Sequence, residues 1–237
     1  MKPKVICHIM SSVDGRLLPS RWTAPFGCSM SDCVKEYAAI GKELGTDAWM
    51  FGKATAREAF PYKFMPKSNK PAQAGKVYVG KRDSKRIFIT VDPDADIFYT
   101  DNKLRGDNIL VVLGTNATTD YLGMLEEKGI SYIVLSDSTN LREAMEIIHD
   151  RFGINKISLQ GGGIIDGAML ATGLIDELSL VMYPGIDGLT TAPSIFEYLG
   201  ASDEFPAAGQ SLELLSADVR NHGVVWLRYK FHKNQSI

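Results

Sequence analysis

An α/β fold is what this sequence predicts: a mostly parallel sheet with flanking helices and an antiparallel carboxyl-terminal hairpin. Three observations carry the expectation. Between Ile109 and Ala171 short apolar runs alternate with stretches of helical periodicity, the pattern of parallel strands joined by crossover helices. Ile157-Ser158-Leu159 runs into Gly161-Gly162-Gly163, and a helix-compatible run from Ile164 to Ala171 follows at once. At the end of the chain, Leu212–Ser216 and Val224–Phe231 flank the turn-like Arg220-Asn221-His222-Gly223, which reads as a hairpin.

Taken in order, Val5–Met10 is an apolar strand, and Ser11-Ser12-Val13-Asp14-Gly15-Arg16 is a polar turn in which the chain leaves the sheet. A loop holding Pro19, Trp22 and Pro25 leads to a helix from Ser31 to Leu44, stopped by Gly45. Asp47–Gly52 is a short strand with a helix, Lys53–Phe60, starting on its glycine, a second strand–glycine–helix junction. Residues 61–75 are rich in Lys, Pro and Ser and read as surface loop. Strands are expected at Lys76–Val79, Arg86–Val91, Ile97–Thr100, Ile109–Leu113 and Ile130–Leu135, and helices at Ala117–Lys128 and Leu141–Phe152. After the triple glycine, Leu174–Pro184 alternates as a strand, and residues 185–209 are irregular. No linker or repeat divides the sequence, so residues 1–237 are expected to form one domain.

A hydrophobic share of 45% and a charged share of 23% fit a folded globular protein, and a formal net charge of −2 gives no global attraction to nucleic acid or acidic membranes. The first apolar run is too short to span a bilayer, and the expectation is a cytoplasmic protein. Cys7, Cys28 and Cys33 have neither disulfide nor zinc spacing, so no metal is implied. Any anion binding must therefore be local. The triple glycine is suited to it, because glycines admit close backbone approach and a helix start presents unpaired N–H groups. The same residues also suit a tight turn without a ligand.

Three stretches resemble the dihydrofolate-reductase-like superfamily and, within it, the reductase domain of riboflavin biosynthesis. They are Ser12-Val13-Asp14-Gly15-Arg16, Asp47–Thr55, and the run from Gln160-Gly161-Gly162-Gly163 through Gly173-Leu174-Ile175-Asp176-Glu177-Leu178 to Pro184. The resemblance implies an NADPH-dependent reductase of a ribosylamino-pyrimidine 5′-phosphate. In it Gly161, Gly162, Gly163 and Ile164 would meet the pyrophosphate, with Gly52 and Thr55 at the second junction. It also implies a cis peptide at Gly161–Gly162 and a homodimer, for which the apolar strand Leu178–Tyr183 and the hairpin offer surface. By the same likeness Ser11 and Trp22 lie along the nicotinamide half; the alternative for Trp22 is a loop anchor. Lys53 and Arg57 either pair with the 2′-phosphate or are solvated helix face. Asp14 is the candidate acid, or else only the residue of a tight Asp-Gly turn.

Two residues depart from the family pattern. Gln160 stands where the family has glutamate; it can hydrogen-bond substrate but cannot act as a base. Glu43 stands where the family has an arginine facing substrate phosphate, and an acid there repels a phosphate. Lys63, Lys67 and Arg21 are the candidates to take its place. A relative acting on another pteridine- or pyrimidine-like substrate, or a non-catalytic NADPH-binding protein, are the alternatives.

Overall fold

The computed structural model describes residues 1–60 and 70–233. In chain order the elements are β1 (Lys4–Ser11), α1 (Met30–Glu43), β2 (Ala48–Gly52), α2 (Lys53–Arg57), β3 (Val77–Tyr78), β4 (Ile87–Asp92), β5 (Lys103–Leu104), β6 (Asp107–Leu113), α3 (Thr119–Glu127) and β7 (Ser131–Val134). They continue with α4 (Leu141–Phe152), β8 (Lys156–Leu159), α5 (Gly163–Ala171), β9 (Glu177–Met182), β10 (Gln210–Val219) and β11 (Val225–Lys233). The chain divides into two compact units, one of Met1–Pro3 with Thr46–Ile157 and one of Lys4–Gly45 with Ser158–Ile237.

In the first unit the strand order is β2-β4-β6-β7-β3. Strands β2, β4, β6 and β7 run parallel, while β3 and β5 add antiparallel pairings to β7 and β6. Strands β4 and β7 are buried throughout and β6 all but its first residue, which is why the sequence there is nearly continuous in Ile, Val and Leu rather than alternating. Thr118 caps α3 by accepting the N–H of Tyr121, and Asn140 caps α4 by accepting that of Glu143. Helix α4 ends at Gly153, whose φ of 66° is the left-handed stop expected of glycine. Phe88, Val111, Leu122, Leu125 and Tyr132 belong to one apolar cluster with α2's Ala56.

In the second unit the order is β10-β11-β9-β1-β8. Strand β1 lies parallel to β9, from Ile6 opposite Glu177 to Ser11 opposite Met182. The expected hairpin is present: β10 and β11 pair antiparallel, with a register shift between Leu214 and Ser216, and β11 pairs antiparallel with β9. A capping box between Ser29 and Asp32 starts α1. Its Cys33 and Ile40 pack with Ile6, Trp22, Val181, Tyr183 and Trp226.

A buried polar chain crosses this core. The indole N–H of Trp226 donates to Ser179 Oγ at 2.8 Å, and that hydroxyl lies 3.0 Å from His8 Nδ1. On its other side His8 Nε2 faces the carbonyl oxygen of Tyr37 at 3.3 Å, and the Tyr37 ring stacks on the imidazole at 4.3 Å. Since a carbonyl only accepts and Ser179 Oγ already accepts from Trp226, the hydroxyl donates to Nδ1 and the proton sits on Nε2. Burial lowers the His8 pKa to about 4, so this ring is neutral.

Two expectations are corrected. Ile97–Thr100 is not a strand although Ile97 and Tyr99 are buried in alternation. Its backbone is satisfied by side chains instead: Ile97 N–H donates to Asp92 Oδ2 at 3.2 Å and Tyr121 O–H donates to Ile97 O at 2.8 Å. The helix expected from Lys53 to Phe60 stops at Arg57, after which turn bonds carry the chain to Phe60, buried against Tyr99.

Candidate functional site

The strand–glycine–helix junction of the second unit is built as the sequence suggests. Strand β8 ends at Leu159, the Gly161–Gly162 peptide is cis as the resemblance implied, and Gly162 caps α5. Gly161 has φ +83°, and a Cβ on it would come within 2.9 Å of Ile9 Cδ1, so the backbone there requires glycine. The amide N–H groups of Gly162, Gly163 and Ile164 find no acceptor among the described residues. Three orphan donors on a helix start fit a phosphate group of a dinucleotide.

The helix is pressed from one side by the segment Ser194–Tyr198, inside the stretch that sequence reasoning left as irregular. Glu197 N–H donates to Gly163 O at 2.9 Å. A Cβ on Gly163 would lie 2.4 Å from Ser194 O, and one on Gly167 would lie 2.2 Å from Glu197 O. The Gly163/Gly167 pair, four residues apart and hence on one helical face, was the available sign of this close approach. Beneath the first turn Asp166 is fully buried, its carboxyl group approached by the Cys7 thiol and the Gly161 N–H without a well-formed hydrogen bond to either oxygen among the described residues. Burial pushes its pKa well above the usual carboxylate range, so it is held as the neutral acid and adds no negative charge below the donors. Sequence reasoning missed Asp166, since nothing in its spacing marks burial.

The loop after β1 places Asp14 as an acceptor. Its carboxylate takes the hydroxyl of Ser12 at 2.6 Å and the backbone N–H groups of Asp187 and Gly188 at 3.1 and 2.8 Å. These donors, the Ser12 hydroxyl foremost, hold its pKa well below the usual range. Through these bonds the carboxylate tethers one loop to another. Ser11 is buried at the end of β1, its hydroxyl donating to Ser12 O at 3.0 Å. Trp22 is buried against Tyr183 at 4.8 Å. Half-buried Gln160 donates through Nε2 to Ser158 Oγ at 3.1 Å.

Glu43 does not stand as a bare repulsive charge, because Arg220 forms ion pairs with both Glu43 and Glu36. Arg21 is paired with Asp187 at 3.1 Å, and Lys63 and Lys67 lie outside the described residues.

In the first unit Gly52 ends β2 and caps α2, a helix of only five residues. Thr55 lies half-buried on it. Lys53 is not solvated helix face: its ammonium pairs with Asp94 and lies 3.4 Å from Asp96. Arg57 pairs with Asp96 at 2.5 Å. Nearby Asp92, buried at the end of β4, accepts the N–H groups of Asp96 and Ile97, and burial raises its pKa to about 6. Among the described residues no group of acids, cysteines and histidines could hold a metal ion.

A family model described as the RibD C-terminal domain matches residues 3–225. Among solved structures, a pyrimidine reductase-like protein of Corynebacterium diphtheriae is 20% identical with a TM-score of 0.69, covering 98% of this chain and 93% of that one. A riboflavin biosynthesis reductase of Saccharomyces cerevisiae is 14% identical with a TM-score of 0.61, over 98% of this chain and 90% of that one. RibD of Acinetobacter baumannii is 17% identical with a TM-score of 0.59; 98% of this chain is covered and 58% of that one. At these identities the likeness shows the fold.

Proposed function

We propose, because this chain belongs to the RibD C-terminal domain family, that it is a reductase whose hydride donor is a nicotinamide dinucleotide and whose substrate is a ribosylamino-pyrimidine 5′-phosphate, reduced to the ribitylamino form. The observation that carries the reading is the set of three N–H groups at Gly162, Gly163 and Ile164, on a helix start, that find no acceptor among the described residues. The bound cofactor supplies the hydride. The chain's own part is positioning: the α5 amides hold a phosphate group, and Asp14 fixes the loop after β1 against residues 187–188. Gln160 offers its amide oxygen to a substrate hydroxyl while its nitrogen bonds Ser158. With Asp14 ionised, the proton that completes the reduction comes from water. The resemblance implies NADPH as the cofactor, but the carboxylates engaging Lys53 and Arg57 weigh against the phosphate that distinguishes it.

The reading includes a cytoplasmic setting and a homodimer. No helix among the described residues is long and apolar enough to cross a membrane. Strand β10 ends the strand order of its unit and exposes Leu212, Leu214 and Val219 by 50%, 55% and 83%, a surface suited to a second copy. Sedimentation equilibrium checks this, a concentration-independent mass of 26.1 kDa counting against it. The function is tested by following nicotinamide oxidation with ribosylamino-pyrimidine phosphate, dihydrofolate and a pterin panel. Turnover of the pyrimidine is expected; turnover of a pterin alone would move the substrate, and binding of cofactor without any turnover would leave a non-catalytic nucleotide-binding protein.

A further inference from the structure

We propose that Lys53, Arg57, Asp94 and Asp96 select NADH over NADPH, an inference that rests on the nicotinamide-dependent reading above. Lys53 and Arg57 are the cations that the family resemblance offers to the 2′-phosphate of NADPH, and both already have carboxylate partners. Lys53 pairs with Asp94 and Asp96, and Arg57 with Asp96. Asp94 also lies 3.5 Å from the amide nitrogen of Asn116, which helps fix it in place. These residues all belong to the unit formed by residues 46–157, gathered where β4 ends and α2 begins.

The charge count and the hydrogen-bond inventory agree. Among the described residues two cations meet Asp94 and Asp96, with Asp92 buried behind them, so these cations bring no surplus positive charge for a dianionic phosphate. Admitting one would break ion pairs and leave carboxylates beside phosphate oxygens. An unpartnered atom points to the same choice. Oδ1 of the half-buried Asp96 has no hydrogen-bond donor among the described residues. An orphan acceptor calls for a ligand that donates. A phosphate oxygen only accepts, whereas the free 2′- and 3′-hydroxyls of an adenosine ribose both donate, and an acidic residue taking that diol is how dinucleotide sites at strand ends recognise the unphosphorylated cofactor. The sequence puts cations at Lys53 and Arg57, which suggested the opposite preference; only the fold shows the Asp92-Pro93-Asp94-Ala95-Asp96 turn closing on them.

The test is direct binding, by isothermal titration calorimetry of the full chain with NADH and with NADPH. The expected result is a Kd for NADH about tenfold or more below that for NADPH, 1.4 kcal/mol per factor of ten. In Asp94→Asn/Asp96→Asn, with Asp96→Asn alone as a milder variant, the cations are released. The Kd for NADPH is then expected to fall about tenfold while that for NADH holds or rises. Circular dichroism matching the parent confirms the fold. Parent protein binding NADPH as tightly as NADH, or more tightly, overturns the inference and leaves the reductase reading standing. A ratio unchanged in both variants overturns the assignment to this cluster, and binding of neither cofactor overturns both readings.

Discussion

Gly163→Ala tests whether the segment Ser194–Tyr198 sets the position of the α5 start. The added methyl would lie 2.4 Å from Ser194 O and 3.0 Å from Glu197 Cγ. A side chain can rotate away, but a backbone carbonyl cannot, so relief requires the segment to lift. Lifting strains the Glu197 N–H bond to Gly163 O, 2.9 Å long, worth about 1 kcal/mol net. Overpacking against backbone costs about 1–3 kcal/mol, and the helix preference for alanine over glycine returns about 1 kcal/mol at most. The net loss is about 1–3 kcal/mol, and at about 2–4 °C per kcal/mol for a chain of this size the melting temperature falls by several degrees. Thermal denaturation by circular dichroism measures it. Gly123→Ala is the control, since it lies inside α3 with nothing within 4 Å of its Cβ position and gains up to about 1 kcal/mol. If the two variants shift the melting temperature alike, the close-approach argument is wrong.

Gly162 has φ −71° and ψ −171°, a backbone region open to any residue, so Gly162→Val is expected to fold and to raise the cofactor Kd about tenfold through its side chain on the donor face; an unchanged Kd would reduce the loop to a turn. His8 is expected to titrate near pH 4 by NMR and to stay in the Nε2–H form above that. Because its folded pKa lies below the unfolded value of 6.5, the unfolded chain binds the extra proton between the two. Its contribution to stability is therefore present above pH 6.5 and lost as pH falls towards 4, about 3 kcal/mol in all; a His8 titration near 6.5 would contradict the buried neutral ring. Ser179→Ala unpairs both the Trp226 indole N–H and His8 Nδ1 and is expected to cost about 1–3 kcal/mol in denaturant unfolding, a neutral result dissolving the chain of bonds. Asp14→Asn is expected to lower turnover without changing the shape of the pH–rate profile; disappearance of an alkaline limb would restore Asp14 as the proton donor.

The parallel strands, the hairpin and the α5 junction were legible because each is written locally, in periodicity, in glycines and in turn residues. What was not legible depended on partners distant in sequence. Lys53 and Arg57 look like open cations until β4 ends in Asp92-Pro93-Asp94-Ala95-Asp96 beside them, about forty residues on. Asp14 has the composition of an acid in a turn, and only the N–H groups of Asp187 and Gly188 show that its charge is used to hold a loop. Ile97–Thr100 carries strand periodicity, but Asp92 and Tyr121 supply its hydrogen bonds, a substitution of side chain for ladder that no local pattern reveals.

The second unit is assembled from both ends of the chain, with the first unit's residues 46–157 inserted between them. Strand β1 therefore leaves the ribosome long before its neighbour: His8 must wait for Ser179, 171 residues later, to acquire its hydrogen-bond partner. At about 5–20 residues per second that delay is roughly 10–30 s. Throughout it the apolar run Val5-Ile6-Cys7 has no β9 to lie against, whereas the inserted segment is contiguous and can condense as soon as it emerges. Nascent β1 is thus a segment that gains from chaperone cover during synthesis.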